Sequence, residues 1–343
     1  MILIFFCQSL DLTDGISGST THWLKSLQDI HGLSYVFTLK PPLASDLIAD
    51  CKIIHLKGNP AIKAMAILHT LLGICRQHSQ IRINCFQYQG GPYLLLVKIF
   101  FFWSKQVKYF QWKAHSKYDA ISLIQQSCVN NLTFTSTPLT SSARLKIGKL
   151  AIVGQECDKN KFYNMNLERQ GIIVLGRINK LKNYPNVLLF FDAFLEQYRP
   201  KYDDLKIFFY GRFETNYIEE DFFKIKSSLA SSENILYKGI ASHNDLCGIL
   251  NRHLVCIHDC PGALDRSIVE ASMSGTPVIS TNPNVMFIPR YAVHTLNYYV
   301  TSLNQDQAFA ILAHALENPP IYISSISTVK PPIQQVVRSL MQY

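Results

Sequence analysis

The chain has 343 residues, too many for one ordinary domain and suited to two. Hydrophobic residues make up 48% and charged residues 17%, which excludes a disordered chain and implies a sizeable core. The net charge of +9 is carried by one half: residues 1–165 hold 17 Lys and Arg against 8 Asp and Glu, and the rest holds 16 against 16.

In chain order, MILIFFC reads as a buried first strand. It has no preceding basic residue and no small-residue cleavage site, so a signal peptide is the poorer reading. DGISGSTTHW (14–23) is a Gly-rich loop entering a helix over STTHWLKSLQDI. Gly15 and Gly18 there permit close backbone approach to an anion at the helix start. Strands LSYVFTL and CKIIHL follow, then a helix over AIKAMAILHTLLGICRQ and strand RINCFQY. PYLLLVKIFFFW (92–103) is interrupted by Lys98 and is shorter than the ~20 residues of a membrane span. A helix packed in the core is the better reading; the other is a lipid-docking segment completed by Lys105 and Lys108. Strands VKYFQW and KLAIVG close the first half, and NLT at 131 is a sequon that a cytosolic reading makes incidental.

GQECDKNKFYNMNLERQ (154–170) is polar and aperiodic and marks the join. Beyond it, strands GIIVLG, KIFFYG, ILYKG, HLVCIHD and TPVIST alternate with helical stretches near YPNVLLFFDAFLEQY, IEEDFFKIKSSLA, HNDLCGIL, DRSIVEASMS and DQAFAILAHALE. Such alternation implies parallel sheets covered on both faces. The expected architecture is α/β, with two doubly wound, Rossmann-like domains at 1–165 and 166–320. A tail at 321–343 is expected to pack back as a helix on the first domain. Ligands of such sheets bind at the carboxyl ends of the strands.

Nine scattered cysteines, an odd number, suit reduced thiols in a reducing compartment. The cluster HLVCIHDC brings His253, Cys256, His258 and Cys260 together, but on a continuous strand and without a second ligand pair, so no metal is expected there. Between Asp50 and Asp119 there are ten basic residues and no acid. That bias suits an anionic partner: a membrane surface, a phospholipid-linked acceptor or nucleic acid. No nucleic-acid motif accompanies it, so nucleic acid is not expected. The expected location is cytosolic, with the basic half able to meet the cytoplasmic face of a membrane.

Two stretches carry chemistry. In VLGRINKLK a strand ends at Gly176, and Arg177 and Lys182 follow on the loop entering a helix. Two fixed cations at a strand's carboxyl end suit a diphosphate. In PGALDRSIVEASMSGTPVIS (261–280), Asp265 stands at the N-cap position of a short helix that carries Glu270, and a Gly turn leads into a β-branched strand.

With GRINKLK…DAF at its head, this half resembles the retaining glycosyltransferases of family 4, which have the GT-B fold. The likeness continues through LKIFFYGRF, ILYKGIASHNDLCGILNRHLVCIHD and LDRSIVEASMSGTPVIST, and IVGQECDKNKF resembles the family's hinge. It is strong over 170–290 and loose in the first half. The resemblance implies that Glu270 holds the donor ribose and that Arg177 and Lys182 bind the leaving diphosphate in place of a metal. The family's sugar-contacting glutamate is replaced by Gly262. There, the amides of Gly262, Ala263 and Leu264 would approach the donor, while Asp265 either caps the helix or contacts the sugar. Gly211 and Gly239 would border the nucleobase, Gly15 and Gly18 the donor phosphate, and His115, in YFQWKAH, the donor sugar.

The implied activity is metal-independent hexosyl transfer with retention. The donor would be a nucleotide-diphosphate sugar and the acceptor a glycan or lipid-linked hydroxyl, in surface polysaccharide or glycoconjugate synthesis, with no cofactor. The rival is a catalytically degenerate, glycosyltransferase-like binding subunit, which Gly262 favours and which Arg177, Lys182 and Glu270 oppose. An epimerase, or a phosphorylase with a pyridoxal-binding lysine, fits the motif run less well.

Overall fold

The computed structural model describes residues 2–7, 10, 24, 34–42, 51–86, 91–101, 104, 107–113, 132–135, 149–152, 157, 161–260, 264–285, 297–304 and 306–318. The chain divides into two compact units, Met1–Glu156 with Lys330–Tyr343, and Cys157–Val329. Phe162, ahead of the first strand of the second unit, is buried in that unit's core. The tail helix expected over 321–343 lies outside the described residues.

In the first unit, β1 (Ile2–Cys7), β2 (Ser34–Thr38), β3 (Cys51–His55), β4 (Ile81–Phe86), β5 (Val107–Lys113), β6 (Leu132–Thr135) and β7 (Lys149–Ile152) form one sheet. Its order is β3-β2-β1-β4-β5-β6-β7, and every pairing is parallel. β1 is central and buried throughout, which is why ILIFFC is apolar without alternation. Helix α1 (Pro60–Gln77) begins at Asn59, whose side chain accepts from the Ile62 amide at 3.0 Å, with Pro60 in the first turn where its missing N–H is not needed. Its Ile67, Leu71 and Ile74 share a core with Val97 of α2 (Gly91–Phe100) and the inner side chains of β1 and β4. β6 has no counterpart in the sequence reading; its four residues are too few to establish a period.

The second unit contains β8 (Ile172–Leu175), α3 (Tyr184–Tyr202), β9 (Ile207–Tyr210), α4 (Asn216–Ser228), β10 (Ile235–Gly239), α5 (Leu246–Asn251), β11 (Val255–His258), α6 (Arg266–Met273), β12 (Val278–Ser280), β13 (Tyr298–Tyr299) and α7 (Asp306–Glu317). The sheet is parallel, in the order β10-β9-β8-β11-β12-β13. The order runs one way from β8 to β10 and the other way from β11 to β13, so the switch point lies between β8 and β11.

Alternation along the strands feeds two cores. Val255 and Ile257 join Phe191, Phe194, Phe222 and Leu312 of α3, α4 and α7 on one face. Cys256 joins Leu250, Ile268 and Val269 of α5 and α6 on the other. Helices therefore cover both faces, and the strand ends at the switch point are left for a ligand.

Candidate functional site

Three glycines finish adjacent strands of the second sheet. The Gly176 amide donates to the Tyr210 carbonyl at 2.9 Å, and the Gly211 amide donates to the Gly239 carbonyl at 2.8 Å. A Cβ on Gly211 would lie 1.8 Å from the Gly176 carbonyl oxygen, so no side chain fits there. Gly176 has a φ of 121°, which favours glycine, and a Cβ there would lie 3.3 Å from the Lys182 ammonium, so that group sits against the end of β8.

Past Gly176 the chain keeps pairing with the segment after β9. The Ile178 amide donates to the Arg212 carbonyl and the Glu214 amide to the Ile178 carbonyl. Arg177 is held at this edge, its Nη1 3.5 Å from Glu214 Oε1, with both side chains partly exposed. Asn179 then caps a single 3-10 turn, Lys180–Lys182, its side chain accepting from the Lys182 amide at 3.0 Å. Asn183 takes the left-handed conformation (φ 44°) between that turn and α3.

This turn delivers the Lys182 side chain to the end of β11. Its ammonium pairs with Asp265 Oδ2 and lies 3.3 Å from His258 Nε2. His258 Nδ1 is 3.0 Å from Ser280 Oγ at the end of β12. Burial and the neighbouring ammonium hold the imidazole below its ordinary range, and its Nε2 also lies 3.5 Å from Asp265 Oδ2. Burial works against the charge on both members of the ion pair, yet their mutual attraction prevails. Lys182 is held above the ordinary lysine range and Asp265 well below the ordinary carboxyl range. Asp265 also caps α6, its Oδ1 accepting from the Ser267 amide at 3.4 Å. The capping role weighed for Asp265 is therefore combined with a role as counter-ion to Lys182.

One turn into α6, Glu270 is 3% exposed. Its Oε1 lies 2.9 Å from Arg266 Nε in an ion pair that is not aligned as a hydrogen bond, so that oxygen accepts none. Burial pushes the carboxyl up to about 7, with Arg266 opposing the shift. Leu264 is buried in the core with Ile268 and Phe162, so only its backbone is free to meet a ligand. His115, Gly15, Gly18, Gly262 and Ala263 lie outside the described residues.

Sequence reasoning missed the frame that holds Lys182. Asp259 is buried, and its Oδ2 accepts from Asn183 Nδ2 at 2.8 Å and from Asn186 Nδ2 at 2.6 Å. Its Oδ1 accepts from Thr281 Oγ1 at 2.5 Å. One carboxylate thus joins the ends of β11 and β12 to the first turn of α3. The one signal in the sequence is an acid directly after an apolar strand, where a parallel sheet presents its ligand edge. Within HLVCIHDC, His258 belongs to the Lys182 cluster. Cys256 is in the core, and His253 Nδ1 lies 2.7 Å from the Ile249 carbonyl.

The arrangement is a buried ammonium paired with the N-cap carboxylate of α6, with the buried carboxyl of Glu270 further along the same helix.

No protein-family model matches the chain, and no curated protein matches it in sequence. Solved structures match it over nearly its whole length. Alr3699/HepE of Anabaena in complex with UDP-glucose is 13% identical, with all of both chains covered and a TM-score of 0.70. A glycosyltransferase from Rickettsia africae ESF-5 is 12% identical, covering 99% of this chain and 93% of that one, with a TM-score of 0.71. TarM of S. aureus, in a complex containing UDP, is 10% identical over 99% of both chains with a TM-score of 0.63. The chain is thus an α/β protein of the GT-B fold, built from two units with parallel, doubly wound sheets.

Proposed function

We propose that the chain is a nucleotide-sugar-dependent glycosyltransferase that acts with retention, as its resemblance to family 4 implies. The observation that carries this reading is the buried Lys182 ammonium over Gly176, at the switch-point edge of a sheet whose fold is shared with the UDP-glucose-bound HepE. Lys182 and Arg177 bind the donor diphosphate and stabilise the charge that develops as the sugar departs. Glu270, ionised, accepts hydrogen bonds from the donor ribose. Gly211 and Gly239 leave the strand ends bare beside the nucleobase. The acceptor is a glycan or lipid-linked hydroxyl, whose proton passes to the leaving diphosphate as the new bond forms on the same face of the sugar. The transferred group is a hexose, and neither a metal nor a cofactor is needed, because the two cations do the neutralising.

A second reading is a binding subunit without turnover. It is favoured by the use of Asp265 as counter-ion to Lys182 and by Gly262 in place of the family's acid. One experiment separates the two. Nucleotide-diphosphate sugars are screened for thermal stabilisation and for slow donor hydrolysis, with Arg177→Ala and Lys182→Ala as controls. A donor at a hundred times its Kd adds about 2.7 kcal/mol. The enzyme reading expects stabilisation and hydrolysis, both weakened in Arg177→Ala and lost in Lys182→Ala. Stabilisation without hydrolysis or transfer selects the binding subunit, and no stabilisation by any donor sinks both.

A further inference from the structure

The outer face of α1 is not that of an ordinary surface helix. Its exposed positions recur at helical spacing: Ile62, Met65, Ala66, His69, Leu72, Gly73 and Arg76. Ile62 is 57% exposed, Met65 67% and Leu72 50%. A helix whose inner face packs on a sheet normally turns charged side chains outward. Here the exposed positions from Ile62 to Leu72 are apolar except for His69, and the helix contains no acid at all. The neighbouring α2 shares the α1 core and ends in Ile99 and Phe100, which are 64% and 61% exposed. Both helices precede strands of the same parallel sheet, so both run opposite to those strands. Their carboxyl-terminal ends, with Leu72 and Arg76 on one and Ile99 and Phe100 on the other, therefore fall at the same edge of the sheet.

We infer that this face docks on an anionic lipid surface. The charge around it selects the occupant. Lys57 lies just ahead of α1 and Lys63 and Arg76 lie on it, within a stretch of ten basic residues and no acid between Asp50 and Asp119. A second copy of the chain seated on the same face would bring two cationic rims together, which disfavours it. A bilayer offers a flat apolar layer under anionic headgroups. It matches a straight stripe of about 21 Å from residue 62 to residue 76 at the helical rise. Ile62, Met65, Leu72, Ile99 and Phe100 would enter the headgroup boundary, with the basic side chains at phosphate level. This inference stands whether or not the chain transfers sugars.

The test is co-flotation of the full chain with vesicles of equal parts phosphatidylglycerol and phosphatidylcholine, against pure phosphatidylcholine. Binding to the anionic vesicles is expected, together with a weakening in high salt. The double variant Met65→Glu and Leu72→Glu should abolish it without lowering the melting temperature, since both positions are exposed. Lys63→Glu with Arg76→Glu should weaken it by at least roughly tenfold. A Leu72→Trp variant, which removes no interaction, should show a blue-shifted emission with anionic vesicles alone. Failure to float, flotation that ignores all of these variants, or a wild-type dimer in solution that the Met65→Glu and Leu72→Glu pair dissociates would each overturn the proposal.

Discussion

A lysine side chain that is only 17% exposed needs a counter-charge, and Asp265, the N-cap of α6, supplies it. Asp265 thus keeps Lys182 charged. Under the proposed function, an incoming diphosphate would carry more charge than one carboxylate and would compete for the same ammonium. Glu270 behaves differently, because Arg266 offsets only part of its burial and leaves its carboxyl titrating at about 7. The folded state therefore holds a proton, between pH 4.5 and about 7, that the unfolded state has already released. The contribution of Glu270 to stability falls as pH rises through that window, by about 3 kcal/mol in all, and is constant above it, whereas His258 and His253, held below the ordinary imidazole range by burial, contribute in the opposite sense. Ribose hydroxyls donating to Glu270 would favour its ionised form, so donor binding near pH ~6 should release a proton and affinity should rise towards neutral pH. Calorimetry in two buffers of different ionisation enthalpy measures this release, and Glu270→Gln should remove it. A binding heat independent of buffer in the wild type would show that Glu270 does not face the donor.

At the scale of elements, the site depends on how closely the ends of β8, β9 and β10 approach one another. Gly211 makes that approach possible, and Gly211→Ala would drive a methyl group into the Gly176 carbonyl. The expected cost is about 3 kcal/mol or more, with donor-induced stabilisation reduced as the loop carrying Lys182 is displaced. Gly248→Ala in α5 is the matched control: nothing lies within 4 Å of its added Cβ, and a gain of about 0.5–1 kcal/mol is expected. Melting curves of the two variants compare the effects directly. The strand-end glycines and the Arg177, Lys182 and Glu270 positions are legible in the sequence because each belongs to a short local pattern. The frame around Asp259 is not, since it joins Asn183 to a carboxylate 76 positions away through strands that meet only in the folded sheet. β13, two residues long, leaves no period to read. The stripe on α1 was hidden for the opposite reason: AIKAMAILHTLLGICRQ is apolar nearly all round, so the pattern establishes a helix without saying which side is buried.

Across the whole molecule, charge and site are segregated. The excess of positive charge lies within residues 1–165, while the buried Lys182 cluster lies in a unit whose sheet begins at Ile172. Two ligands of different chemistry should therefore leave separate footprints, which hydrogen exchange can record on one sample. A nucleotide-diphosphate donor should slow exchange at 176–183 and 264–282, where amides and side chains converge on Lys182. It should leave the amides near Ile62, Met65 and Leu72 unchanged. Anionic vesicles should do the reverse, slowing exchange along α1 and the end of α2. The size of each effect follows from mass action, because a ligand bound only to the native state suppresses every opening that disrupts its site. A donor that protected α1 in place of 176–183 would move the anion site to the basic unit, leaving the Lys182–Asp265 pair as a structural bridge alone.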